Sequence, residues 1–281
     1  QAAEQTGLAA GTPVVAGAGD QAASAVGNGI VEQGLVSCTL GTSGVVFAHL
    51  EQAAYDPKGR VHTFCHAVPA KWHVMGVTQG AGLSLQWLRN QLLPDLSYDE
   101  MTTEAAKAAA GSEGLFWLPY LMGERTPHLD ALARGGWIGL TAKHTRAELI
   151  RSVLEGVSYS QKDTIEIIEQ LWTKVTSVRA SGGGARSPFW RQMLADVFAR
   201  PVVTLETQEG SAYGAALLAM VGTGAFSTVQ EACKATIRIT ETIEPEASAV
   251  DVYARGYPTY QALYPALAPL FPAMSGAIIT S

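Results

Sequence analysis

Leu35-Val36-Ser37-Cys38-Thr39-Leu40-Gly41-Thr42-Ser43-Gly44-Val45-Val46-Phe47-Ala48-His49-Leu50 decides how this chain is read. Two apolar runs flank a Gly-Thr-Ser-Gly turn, the pattern of a β-hairpin. Glycine removes the Cβ, permits positive φ and lets backbone N–H groups approach a ligand, so the tip suits phosphate oxygens. About twenty residues earlier, Gly17-Ala18-Gly19-Asp20-Gln21 sets a lone carboxylate among glycines. Together they suggest phosphoryl transfer, with Asp20 taking a proton from an attacking hydroxyl and Gly41 to Gly44 cradling a nucleotide's phosphates. Either segment alone reads equally well as an ordinary turn.

Upstream of the hairpin, the apolar run Val14-Val15-Ala16 leads into the first glycine turn. The alanine-rich stretch Gln21 to Gly27 predicts a tightly packed helix with Asp20 at its N-terminus. Downstream, Val61 to Val68 and Trp72 to Val77 add two strands, giving a sheet built mainly from hairpins. Gly80-Ala81-Gly82 opens a helix to about Leu93, and Ser97 or Tyr98 to Ala110 forms another, closed by Gly111. Leu115 to Tyr120 is an apolar strand entering the polar loop Gly123-Glu124-Arg125-Thr126-Pro127-His128-Leu129-Asp130. Thr145 caps the longest helix, to Leu171. Strand Thr176 to Ser181, turn Gly182-Gly183-Gly184 and helix Pro188 to Arg200 follow, a succession that exposes N–H groups to a bound nucleotide. Val202 to Leu205 is a strand and Gly210 to Val221 a closely packing helix. Beyond Ala225 the pattern weakens until a last helix, Val250 to Tyr264, anchored by Tyr253, Tyr257 and Tyr260.

Composition narrows the function classes. The 281 residues suffice for a substantial core in one α/β domain or two small ones. A net charge of -6 without a Lys/Arg cluster argues against nucleic acid as a partner. No stretch reaches the roughly twenty apolar residues of a membrane span. Cys38, Cys65 and Cys233, odd in number and widely spaced, suit a reducing cytoplasm and the role of small buried hydrophobes. His62-x-x-Cys65-His66 has no second ligand pair at finger-like spacing and alternates like a strand, so no metal ligand is assigned. The start at Gln1, without methionine, allows a fragment. No Gly-x-x-x-x-Gly-Lys-Ser/Thr or protein-kinase motif set occurs, which excludes two common phosphate-binding designs.

The ordered series Gly17-Ala18-Gly19-Asp20-Gln21, Leu40-Gly41-Thr42-Ser43-Gly44, Gly80-Ala81-Gly82-Leu83-Ser84-Leu85-Gln86-Trp87, Gly123 to His128 and Ser181-Gly182-Gly183-Gly184-Ala185 resembles the FGGY carbohydrate kinase family over nearly the whole chain. Its most specific element is Gly135-x-Trp137-x-Gly139-Leu140 and, seven residues on, Glu148-Leu149-x-x-Ser152-Val153-Leu154-Glu155, similar to the family signature at every position. Within the family, Gly123 to Asp130 followed by Ala133-Arg134-Gly135 is most similar to xylulokinases.

The resemblance implies an α/β, actin-like or ribonuclease H-like ATPase lobe with a mixed sheet flanked by helices. Residues 1–281 would form the C-terminal, nucleotide-binding lobe, the N-terminal sugar-binding lobe being absent from this chain. Asp20 resembles the catalytic base, and Gln21 stands where the family has a sugar-contacting amide, commonly Asn. Gly41, Thr42 and Ser43 resemble the second phosphate motif, Gly82 and Gln86 positions beside the nucleotide, and Gly183, Gly184 and Ser187 the adenosine motif. The implied cofactors are ATP and Mg²⁺, the metal held mostly by phosphates and water. The implied partners are a ketopentose and the other lobe, with a homodimer a further candidate assembly. Other sugar or polyol kinases of the family, acting on ribulose, gluconate or glycerol, stay open, as does a non-catalytic nucleotide-binding module. Glu124 and Arg125 are expected to pair and order their loop, Glu209 to be a helix N-terminal charge, and Trp87, Trp117, Trp137 and Trp190 to pack the core. His128 has no partner legible in the sequence.

Overall fold

The alternation on either side of Gly-Thr-Ser-Gly forms the expected hairpin, and it lies in the middle of the main sheet. The computed structural model describes residues 1–279 apart from 173 and 208. A short helix α1 (Ala2–Thr6) precedes α2 (Asp20–Gly27), the hairpin β1 (Leu35–Leu40) and β2 (Gly44–Leu50), then β3 (His62–Cys65) and β4 (Trp72–Thr78). Helices α3 (Gly82–Leu92) and α4 (Tyr98–Ala105) lead to strands β5 (Phe116–Leu118) and β6 (Gly136–Ile138) and the long helix α5 (Arg146–Leu171). The second half continues with β7 (Ser177–Ser181), α6 (Pro188–Phe198), β8 (Val202–Leu205), α7 (Gly210–Gly222), α8 (Val229–Thr236), β9 (Ile239–Ile243), α9 (Ala247–Leu267) and α10 (Phe271–Ile279). No strand forms over Val14 to Ala16, where Val14 lies in the open.

Among the described residues the main sheet runs β3-β4-β2-β1-β7-β8-β9, and β5 pairs with β6 separately. Antiparallel pairs join β1 to β2, with Leu40 opposite Gly44, and β2 to β4. β1 is parallel to β7, with Cys38 opposite Ala180, and β7 is parallel to β8. Hairpins therefore build one half of the sheet and crossovers through α5 and α6 the other, a mixed sheet flanked by helices.

α5 is the pillar of the core. Thr145 and Glu148 close a capping box, Glu148 accepting from the Thr145 N–H at 2.8 Å. The helix then packs against β2, β4, β5, α4, α6 and α9, with Ile150, Val153, Leu154, Val157, Ile165 and Ile168 shielded from water. α2 meets α7 backbone to backbone: a Cβ on Gly214 would stand 1.8 Å from the Ala23 carbonyl oxygen, so only glycine allows the contact.

Sequence and structure part at several points. The β3 strand is shorter than Val61 to Val68, and α4 stops at Ala105 before the turn at Gly111, where φ is +83°. β9 gave no periodic signal because four of its five residues are exposed. α8, β6 and α10 were likewise not read. Cys38 and Cys233 are buried as expected, whereas Cys65 is exposed on the edge strand β3.

Candidate functional site

Four segments far apart in sequence meet at the C-terminal ends of β1 and β7. Thr39 and Ser181 hydroxyls lie 2.9 Å apart and tie the two strand ends together. Beyond them a cleft of about 740 Å³ opens, within the size range of small-molecule sites. Leu40, Gly41 and Thr42 supply its floor, Gly82, Leu85 and Gln86 of α3 one wall, and Gly183, Gly184, Arg186, Ser187 and Trp190 another. The start of α4, with Ser97, Tyr98, Asp99 and Thr102, completes the lining.

Glycine is required here by contact. A Cβ on Gly82 would lie 2.5 Å from the Gly41 carbonyl oxygen, which accepts the Gly82 N–H at 2.8 Å. A Cβ on Gly182, at φ +85°, would lie 2.7 Å from the Leu40 carbonyl oxygen. The Thr42, Ser43, Gly183 and Gly184 amides donate to no backbone acceptor among the described residues. Unspent backbone donors on glycine-rich turns are what phosphate and ribose oxygens need. Ser187 caps α6, accepting the Trp190 N–H at 3.3 Å, with Pro188 at the first helical position.

Of the residues expected to hold a nucleotide, Gly41, Thr42, Gly82, Gln86, Gly183, Gly184 and Ser187 all line this cleft. Ser43 sits in the same turn but outside the lining. Asp20 and Gln21 are also outside it, at the first turn of α2. Asp20 is exposed: its Oδ1 accepts the Gln21 N–H at 2.8 Å, and its carbonyl accepts the Ser211 hydroxyl at 3.0 Å. Sequence reasoning missed Ser97, Tyr98, Asp99, Thr102 and Arg186. A capping box at Ser97 and Glu100 was legible as a helix start, but nothing local says which helix starts converge.

The FGGY family of carbohydrate kinases, C-terminal domain, matches residues 36–223, the span holding every lining segment of the cleft. The chain belongs to the FGGY family. It is 40% identical over 261 residues to a xylulose kinase of Staphylococcus epidermidis, covering 93% of this chain and 53% of that protein. Identity to a Bacillus subtilis xylulose kinase is 38%, over 92% of this chain and 52% of the relative. The solved xylulose kinase of Lactobacillus acidophilus superposes with a TM-score of 0.92 at 28% identity, over 97% of this chain and 55% of that one. A gluconate kinase from the same organism superposes at 0.91 and 28%, again over 97% and 55%. The fold is accordingly the actin-like ATPase fold, and this FGGY chain spans about half the length of the curated relatives it matches.

The FGGY signature itself builds no part of the cleft. Glu155 accepts from Gly111 N–H at 2.9 Å, Arg151 at 2.8 Å, Ser112 at 2.7 Å and Tyr253 at 3.0 Å, a buried knot that fastens the chain after α4 to α5 and α9. Burial pushes the Glu155 carboxyl up, and the Arg151 guanidinium pulls it back. Ser152 accepts the Trp137 indole N–H at 3.1 Å, Trp87 stacks on Trp117, and Trp137 packs against both at a tilt, as expected of packing residues.

Glu124 and Arg125 do not form the expected ion pair. Glu124 is buried and takes the backbone N–H groups of Gln79 at 2.7 Å and Arg125 at 2.8 Å. Two amide donors do not offset the desolvation of a full charge, so burial drives its pKa up to about 8. His128 does have partners: its Nε2 is 3.0 Å from the Tyr120 hydroxyl and its ring stacks on Tyr264 at 3.4 Å. Glu209 is the N-cap residue of α7, at the end of the helix where a negative charge is favoured, and its side chain makes no cap hydrogen bond. Among the described residues no group of three His, Cys, Asp or Glu side chains is placed to hold a metal.

Proposed function

We propose that this chain is the C-terminal, nucleotide-binding lobe of an ATP-dependent kinase that converts D-xylulose to D-xylulose 5-phosphate. One observation carries the nucleotide half of the reading: seven residues picked out in three separate motifs line a single cleft. The xylulose kinase relatives carry the substrate half.

In this reading the Thr42 and Ser43 amides bind terminal phosphates, Gln86 lies beside them, and Gly183, Gly184 and Ser187 receive the adenosine. Mg²⁺, when bound with ATP, neutralises the charge that develops on the transferred phosphoryl group. Phosphate oxygens and water fit it better than this chain's side chains, because the lining offers one carboxylate, Asp99. Asp20, on the rigid first turn of α2, accepts the proton of the sugar hydroxyl, and Gln21 holds the sugar. Both act across a gap that an N-terminal, sugar-binding lobe closes, bringing the hydroxyl to the cleft and excluding water.

The test joins this chain to the first half of a xylulose kinase relative and assays ketose-dependent ADP release. Asp20→Ala is expected to lower turnover by ~10²–10⁴-fold, the range for a general base. Equal turnover removes Asp20 from the mechanism. Gluconate is the second substrate reading, favoured by the gluconate kinase superposition, and a panel of xylulose, ribulose, glycerol and gluconate on the same fusion decides between them.

A further inference from the structure

Two aromatic side chains line the cleft, and they differ in what they offer. Trp190 is 1% exposed and spends its indole N–H on Ser158 at 3.1 Å, so it is a wall of the core. Tyr98 is 42% exposed. The Arg89 guanidinium carbon stands 5.1 Å from the Tyr98 ring centroid, while Arg89 Nε donates to the Leu96 carbonyl at 2.8 Å. The Ser97–Glu100 capping box fixes the backbone on both sides of Tyr98. A ring held by a cation on one side and a capped helix below loses little freedom when a flat ligand covers its other face.

Asp99 is the next residue, also exposed and also in the lining. Its carbonyl serves Thr102 and Thr103, whereas its carboxylate has no hydrogen-bond or ion-pair partner among the described residues. A carboxylate accepts and does not donate. It therefore suits the amino group on the six-membered ring of adenine and opposes the carbonyl oxygen that hypoxanthine and guanine carry there.

We propose that Tyr98 and Asp99 select the base: Tyr98 stacks on the purine, Arg89 positions Tyr98, and Asp99 accepts from the exocyclic amine. This rests on the nucleotide reading of the cleft and adds the residues that make the site prefer ATP to other purine triphosphates. Sequence resemblance assigned none of the three.

Calorimetric titration of the 281-residue chain with Mg-ATP and Mg-ITP separates the parts, since the two nucleotides differ only at the base edge. Wild type is expected to bind ATP more tightly than ITP. Asp99→Ala should reduce that preference about tenfold, weakening ATP by loss of a hydrogen-bond partner and relieving the opposition to the ITP carbonyl. Tyr98→Ala should weaken both nucleotides about tenfold or more, with Tyr98→Phe restoring binding, as base stacking on an aromatic ring requires. Thermal unfolding of each variant checks that the fold is intact, and exposure of both side chains predicts that it is. An unchanged ATP-to-ITP ratio in Asp99→Ala, or undiminished binding in Tyr98→Ala, overturns the base-selection proposal and leaves the nucleotide site standing. No binding of either nucleotide by wild type overturns both.

Discussion

The cleft and the knot around α5 are built on opposite principles. The cleft presents glycine backbone with unspent donors and exposed side chains such as Tyr98 and Asp99, whereas every polar atom of Arg151 and Glu155 that reaches the knot is already committed. Binding needs unsatisfied groups at a surface, and packing needs satisfied ones inside. The segment most diagnostic of the family in sequence thus lies where side-chain complementarity is strictest, while the ligand site is written in glycines that occur in any turn. Substitutions should separate along the same line: knot changes alter stability, and cleft changes alter nucleotide affinity in a folded protein.

The sharpest break in that contrast comes from Glu155→Ala. Removing the carboxylate leaves Arg151 buried with only Ala108 and Tyr253 as partners, and strips Gly111 and Ser112 of their acceptor. Loss of one partner from a buried pair costs about 3–5 kcal/mol, to be read as a lower denaturation midpoint in urea. A loss below about 1 kcal/mol, the level of a surface pair, would mean that the knot is not what holds α4 and α9 to the pillar.

Gly82→Ala probes the other region. The new methyl must displace the Gly41 carbonyl, and with it the hairpin tip, by enough to relieve a 2.5 Å approach. ATP affinity is expected to fall about ten- to a hundredfold, since small misplacement of a binding element is costly, while the unfolding midpoint moves less than in Glu155→Ala. Unchanged affinity would take the hairpin tip out of the nucleotide site.

Most of the fold was legible because hairpins, caps and the long helix are local. The strands β1, β2, β4 and β7 and helices α3, α5 and α6 follow from alternation, capping residues and glycine turns within a dozen positions of each other. β9 escaped because an exposed edge strand has no buried face to impose alternation, and it pairs with β8 only through long-range contact. Of the candidate site, the glycines were picked out by resemblance to the family motifs; close packing excludes a larger residue at Gly82 and Gly184, whereas Gly41 and Gly183 have room for a Cβ. Tyr98, Asp99 and Arg186 were not picked out, because their presence in the cleft depends on how α4 and α6 converge on β1, which no local pattern encodes. The expected Glu124–Arg125 pair failed for a related reason: neighbours in sequence need not face each other, and the Gln79 amide, 45 positions away, took the carboxylate instead.

A pH experiment sharpens the contrast with the smallest effect. Glu124 titrates at about 8 in the fold against an ordinary value of 4.5, and Asp163, buried under Tyr257 and Gln261, at about 7 against 3.8. The folded chain therefore holds protons that the unfolded chain has released, and stability falls as pH rises towards 8. His66 and His73, buried as neutral rings, titrate at about 4 against 6.5, so protonation of the unfolded chain lowers stability as pH falls from 6.5 towards 4. From about pH 4.5 to 6.5 these slopes oppose one another, and above 6.5 only the carboxyl loss remains, so thermal stability should fall from about pH 6.5 to 8, with slopes up to ~1.4 kcal/mol per pH unit for each proton involved. Glu124→Gln keeps the acceptor for the Gln79 amide but cannot ionise, and should flatten the slope above pH 6.5 and steepen the loss of stability as pH falls from 6.5 towards 4.5, where its opposing slope is gone. These groups all lie outside the cleft lining, so ATP affinity in the same variant should not change across pH 6.5 to 8 relative to wild type. An affinity shift that tracks Glu124 would join the two regions that the structure keeps apart.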